Sequence, residues 1–325
     1  EAGNIMIPQI NVAAWVVISC LLTWFILYWG SYQTLERILL TMVLFFSLVT
    51  MVIAFSMQAT SYEINSTQVY EGLSFDFPMD HLPLALAVFG FTGISYGEIM
   101  AYTYWCLEKG YAPDNKGDLE KTKGWIKVMQ TDVWVTVMFI TIGTLPFFFL
   151  GAGVLHQVPE LQEALSNNSF WDIDIIGALQ NMFALVLGSW AKWLFVALAF
   201  FVLFSTLLSG TAAFTRTIAD YFISTGLILE KEDTRLKLIK IIAFVIPFLS
   251  GVFYFILPNP ITLFIIAGIW AALGLPIVNI GALFLISKLE KELQPKTATK
   301  MILWASLCFQ IFIGFLLLID NFKGI

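Results

Sequence analysis

The sequence predicts an all-α polytopic membrane protein, and three observations predict it. Of the 325 residues, 59% are hydrophobic and only 12% charged, about half the ~25% charge of a soluble domain. Residues 2–35, 38–62, 133–155, 193–215, 241–287 and 301–319 hold no Asp, Glu, Lys or Arg, and each meets or approaches the ~20 residues that cross a bilayer as a helix. The positive charges then sort onto alternate loops. Such a composition excludes a soluble enzyme, a nucleic-acid binder and a disordered regulator, and it makes the lipid bilayer the first partner of the chain.

Eight crossings are expected, at about 11–30, 37–57, 83–107, 131–155, 190–222, 236–257, 261–287 and 300–319. Glu36 and Arg37 separate the first from the second. The run 241–287 is too long for one span, and Leu257-Pro258-Asn259-Pro260 divides it because neither proline can donate to a helical ladder. Between the fourth and fifth spans, residues 170–188 mix acids, amides and apolar positions, so an amphipathic helix on the outer face is expected there rather than a ninth span. Trp105, Trp125, Trp171 and Trp190 fall near expected boundaries, as interfacial anchors do. Cys20, Cys106 and Cys308 have no paired spacing and argue for neither a disulfide framework nor a zinc site.

Eight crossings place 14 of the 17 basic residues on one side: Arg37, the lysines from Lys109 to Lys127, the group from Lys231 to Lys240 and the group from Lys288 to Lys300. The two longest loops on the other side, about 58–82 and 156–189, hold none. By the positive-inside rule the first side is cytoplasmic and both ends of the chain face outward. A multi-pass protein of a bacterial cytoplasmic membrane is the expectation. Glu1 is not an initiator, and no signal peptide follows it. Residues 1–325 are therefore read as a single transmembrane transporter domain truncated upstream.

Chemistry concentrates in the third span. Gly90, Gly93 and Gly97 fall within eight residues, with Thr92 and Ser95 between them and Glu98 after them. Each glycine weakens a helix by ~1 kcal/mol relative to alanine, so the helix is expected to break about half-way through the membrane. Unwound backbone at that depth is tolerated only against protein or a watery cavity, and secondary transporters build substrate sites from it. An intramembrane carboxylate such as Glu98 costs at least ~2.5 kcal/mol to insert and is by default a functional candidate. Close helix packing on the glycines, with Glu98 paired to a neighbour, is the competing account.

Other spans are plainer. The hydroxyls and Gly210 of the fifth span suit helix contact, while Arg216 and Asp220 stand four apart and are expected to pair. The seventh span, with Gly268, Gly274, Pro276 and Asn279, reads as a second interrupted helix, with a plain kink at Pro276 and a lining role in a pathway both open. His81 and His156 sit at outer span ends. No P-loop, GxSxG, HExxH, dinucleotide fingerprint or CxxC occurs, so neither an ATP-driven pump nor a membrane hydrolase has support, and no enzyme is expected.

The order of these features resembles the natural resistance-associated macrophage protein (Nramp) family of divalent-metal transporters, in a divergent branch. The likeness is carried by TLERILLTMVLFFSLVTMVIAF (34–55) for the family's fifth helix, GFTGISYGE (90–98) for its broken sixth, STLLSGTAAFTRTIADYF (205–222) for its eighth and LGLPIVNI (273–280) for its tenth. The resemblance implies a five-plus-five inverted-repeat fold, of which helices four to eleven are here. It also implies that the family's Asp-Pro-Gly-Asn motif lies upstream of these residues. Where the family carries Met-Pro-His, this chain has Ile94, Ser95 and Tyr96. The implied metal site is thus a carbonyl near Phe91 and a ligand position at Ile94, whose side chain cannot ligate. Ser95 and Glu98 stand in as replacement donors. Loss of the thioether removes the preference for soft transition metals.

The expected function is secondary active transport of a divalent cation (Mn, Fe or Mg) by alternating access, with protons as the candidate coupling ion. The metal is cargo rather than cofactor. Two alternatives stay open: a sodium-coupled symporter of amino acids or small solutes on the same superfold, and a non-transporting receptor or scaffold.

Overall fold

The structure, a computed structural model, describes residues 11–74, 88, 94–111, 118–166, 175–229, 233–257 and 259–323. Among the described residues the chain is helical throughout, with no strand. The helices are α1 (Val12–Trp29), α2 (Tyr32–Met57), α3 (Ser66–Gly72), α4 (Tyr96–Glu108), α5 (Leu119–Gly153), α6 (Pro159–Ser166), α7 (Ile175–Leu187), α8 (Ala191–Ser224), α9 (Thr234–Ile256), α10 (Pro260–Lys288) and α11 (Thr297–Lys323). Seven of them, α1, α2, α5 and α8 to α11, are long and apolar enough to cross a membrane. They match seven of the eight expected spans. Of the other, the third, residues 83–87 and 89–93 lie outside the described residues, which keep its second part as α4.

Local chemistry sets the helix ends. Asn11 caps α1 by accepting from the Ala14 amide at 2.8 Å. At Gly30 the chain turns extended, and a Cβ there would run into the Ile26 carbonyl, so only glycine fits the link into Ser31, the N-cap of α2. The proline break expected near 258 is present: α9 ends at Ile256, and α10 starts on Pro260, a first-turn position that needs no amide donor.

Two expectations are corrected. The helix assigned to 131–155 begins at Leu119, twelve residues sooner, because hydropathy marks where a helix meets lipid and not where it starts. Its wet first turns are held by the Asp118 side chain accepting from the Lys121 amide at 3.1 Å and by the Lys123–Glu120 pair at 3.2 Å. The seventh span is not interrupted either. α10 is continuous from Pro260 to Lys288 with Pro276 inside it. One proline removes one ladder bond, whereas unwinding in lipid would strand several peptide groups at a few kcal/mol each.

The chain divides into two compact units, residues 1–76 with 137–258, and residues 77–136 with 259–325. In the first, α8 is the hub, packing against α1, α2, α7 and α9, while α9 also lies along α1. Its core is Ile53 and Met57 of α2, Leu150 of α5, Met182 and Phe183 of α7 and Phe195 to Leu198 of α8. The 175–187 helix is therefore anchored through its apolar face. Phe183 is fully buried and meets the Phe195 ring edge-on at 5.0 Å. Phe183→Ala is expected to cost about 3 kcal/mol, measured as the loss of helix in a denaturant titration followed by far-UV circular dichroism. The expected Arg216–Asp220 pair gives way to another. Arg235 at the start of α9 holds Asp220 at 2.7 Å, and Arg216 donates to the Ala212 carbonyl one turn back at 2.8 Å.

In the second unit α10 packs against α4 on one side and α11 on another. α5 contributes its residues up to Thr136.

Candidate functional site

The third span resumes as helix at Tyr96, and the two residues before it, Ile94 and Ser95, are not helical. Ser95 has φ −79° and ψ 170°, the extended geometry of an N-cap. The residue three positions on is Glu98, the spacing of a capping box, and its carboxylate folds back as that motif requires. The Ser95 amide donates to Glu98 Oε2 at 2.8 Å, and the Ser95 hydroxyl donates to the same oxygen. Of the four expected site residues, Ser95 and Glu98 are thus brought together. Ile94 precedes them and offers only its peptide group to chemistry, and Phe91 lies outside the described residues.

This geometry fixes what the pair can do. Glu98 is exposed, and its Oε2 is committed to two donors while Oε1 keeps its lone pairs. Ser95 Oγ spends its proton on Glu98 and, with the Glu98 amide donating to it in the capping box, keeps one lone pair. Both are hard oxygen donors, suited to Mg, Ca or Mn rather than to soft metals. The first turn of a helix carries about half a positive charge, which alone repels a cation. Glu98 in that turn offsets it.

Tyr96 is held by α10. A Cβ added at Gly274 would lie 2.5 Å from Tyr96 Cδ1 and 2.8 Å from Cγ, so the tyrosine ring occupies the space that any other residue at 274 needs. The sequence marked Gly274 only as a helix weakener. Its partner could not be read from spacing, because 178 residues separate the two. On the other side of α10, the buried Asn279 donates at 3.3 Å to Gln310 of α11, which donates in turn to Ser306 at 3.2 Å. Asn279 Oδ1 has no hydrogen-bond partner among the described residues. Gln310 carried no sequence signal at all.

Below the cap, Tyr102 of α4 donates to the Met129 carbonyl at 3.2 Å and to Asp132 Oδ2 at 3.3 Å, and Lys109 reaches the same carboxylate oxygen at 3.5 Å. Tyr111 stacks on Trp125 at 5.3 Å between ring centres and ties the end of α4 to α5. No group of three or more His, Cys, Asp or Glu side chains converges as a metal cage among the described residues.

Seven helices long and apolar enough to span define a multi-pass membrane protein, and beside them α4 starts at Tyr96 with a carboxylate in its first turn. A family model, described as natural resistance-associated macrophage protein-like, matches residues 1–320, and the chain belongs to the Nramp family. At the level of the family this is a transporter of divalent metals, with the metal as substrate. No curated protein and no solved structure matches it.

Proposed function

We propose that the chain carries a hard divalent cation, Mg or Mn ahead of Fe, across the membrane by alternating access around the break that precedes α4. The observation that carries this reading is the Ser95–Glu98 cap. It puts two hard oxygen donors, one of them anionic, at a helix start inside the third span. The cation would meet Glu98 Oε1 and Ser95 Oγ, with peptide oxygens of the 91–94 segment completing its shell, as ends of broken helices do for cations in secondary transporters. Isoleucine at 94 leaves the shell without sulfur, so the site has no means of favouring a soft ion over a hard one.

The direct experiment is a thermal unfolding series on the purified chain with Mg, Mn, Fe(II), Cd and Ca. A cation at 100 times its dissociation constant stabilises by ~2.7 kcal/mol. Mg or Mn is expected to raise the unfolding temperature at lower concentration than Cd. A Cd response stronger than the Mn response contradicts the hard-donor assignment, and no response to any cation contradicts a cation site.

A further inference from the structure

Glu98, Tyr102 and Cys106 recur at intervals of four and so lie along one face of α4. That face runs from the cap toward the lysine-rich side, and the Tyr102 hydroxyl connects it to Asp132 of α5. Asp132 is the last charged residue before the uncharged run 133–155. Its side chain is 24% exposed, and it meets the ammonium of Lys109, whose side chain is 28% exposed, at 3.5 Å. A tight charge-assisted bond would be about 2.7–2.9 Å. At 3.5 Å this is a loose contact between partly exposed groups, worth little where water reaches it.

We propose that Asp132 is a second cation ligand, the point to which the ion passes from Glu98 on its way to the lysine-rich side, with the Lys109 ammonium holding the carboxylate when no cation is there. The inference rests on the proposed cation site at Glu98. Glu98 to Tyr102 is a rise of about 6 Å along α4, and Glu98 to Lys109 about 16 Å. Glu98 and Asp132 therefore offer the ion two oxygen stops along the α4 face instead of one long crossing without an oxygen ligand. Tyr102 is a positioning residue: its hydroxyl aims the Asp132 carboxylate at the α4 face. A divalent ion arriving at Asp132 outcompetes a single ammonium by charge, and when it leaves to water Lys109 returns. No covalent bond is made or broken in the exchange, and the added positive charge leaves again with the ion when it passes to water.

The test uses the full chain in vesicles, with Mn and Mg as the probe ions, and reads both uptake turnover and cation-induced thermal stabilisation. Asp132→Asn is expected to lower turnover about tenfold while leaving the thermal stabilisation intact, the pattern of a ligand used after binding. Asp132→Glu should recover most of the rate. Lys109→Met should lower turnover severalfold, less than Asp132→Asn, because the ammonium that takes the carboxylate back from the departing cation is lost while the ligand itself remains. Tyr102→Phe should give a smaller loss than Asp132→Asn. If Lys109→Met loses as much turnover as Asp132→Asn, the trio is only a tie between α4 and α5 and the proposal falls. It falls also if Asp132→Asn transports at the full rate. The two readings fail separately: absent stabilisation of the unsubstituted chain removes the Glu98 site, whereas intact stabilisation with transport indifferent to residue 132 removes Asp132 alone.

Discussion

Glu98→Gln is expected to abolish cation transport without unfolding α4. Glutamine serves at the third position of a capping box as glutamate does, so the bond from the Ser95 amide survives in the variant. What disappears is the negative charge. A contact to a charged group is worth about 1.5–3 kcal/mol, roughly ten- to a hundredfold in affinity at 1.4 kcal/mol per decade. Uptake assays should therefore show a KM raised by about that factor, or no measurable transport, while circular dichroism stays unchanged. Glu98→Ala is the control, since it removes charge and cap together and should add about 1 kcal/mol of helix destabilisation. Equal uptake in the unsubstituted chain and Glu98→Gln would reduce Glu98 to a helix cap.

Gly274→Ala should disturb the same site from a different helix. The added methyl would stand 2.5 Å from Tyr96 Cδ1, 2.8 Å from Cγ and 3.0 Å from Cε1, so it meets the body of the ring rather than a flexible tip. Either the ring leaves its rotamer or α10 and α4 separate, and overpacking of this kind costs about 1–3 kcal/mol. Because Tyr96 directly follows the capping serine, displacing it shifts Ser95 and Glu98. Transport should fall together with stability. Tyr96→Ala in the same chain removes the clash, and a double-mutant cycle should show the pair to be strongly non-additive. Additive effects would mean that the contact between Gly274 and Tyr96 does not bear on the site.

The spans were legible because lipid imposes a one-dimensional rule: a helix must be apolar for about 30 Å and charges must remain at its ends. Seven of the eight were recovered, and α1, α8 and α9 begin and end within two residues of expectation. The same rule misplaced the start of α5, since residues 119–130 are helical in water, where hydropathy is silent. Pro276 misled in the opposite direction. A helix-breaking residue reads as a break when taken alone, but the surroundings of α10 leave its neighbours no better partners than the ladder. For the site, Ser95 and Glu98 were legible as residues. Their Ser-x-x-Glu spacing is that of a cap, but spacing alone does not distinguish a cap from a pair of donors.

What the amino-acid order determined is what depends on neighbours along the chain: which segments lie in lipid, where α4 starts, and that a carboxylate stands in its first turn. Contacts between distant segments were decided only by the fold. Those are Tyr96 on Gly274, Tyr102 and Lys109 on Asp132, and Arg235 in place of Arg216 on Asp220. The physical reason is range. Helix formation and partition into the bilayer are settled over one to six turns, but a side chain's partner depends on which helix faces close on each other, and no spacing in the sequence records that.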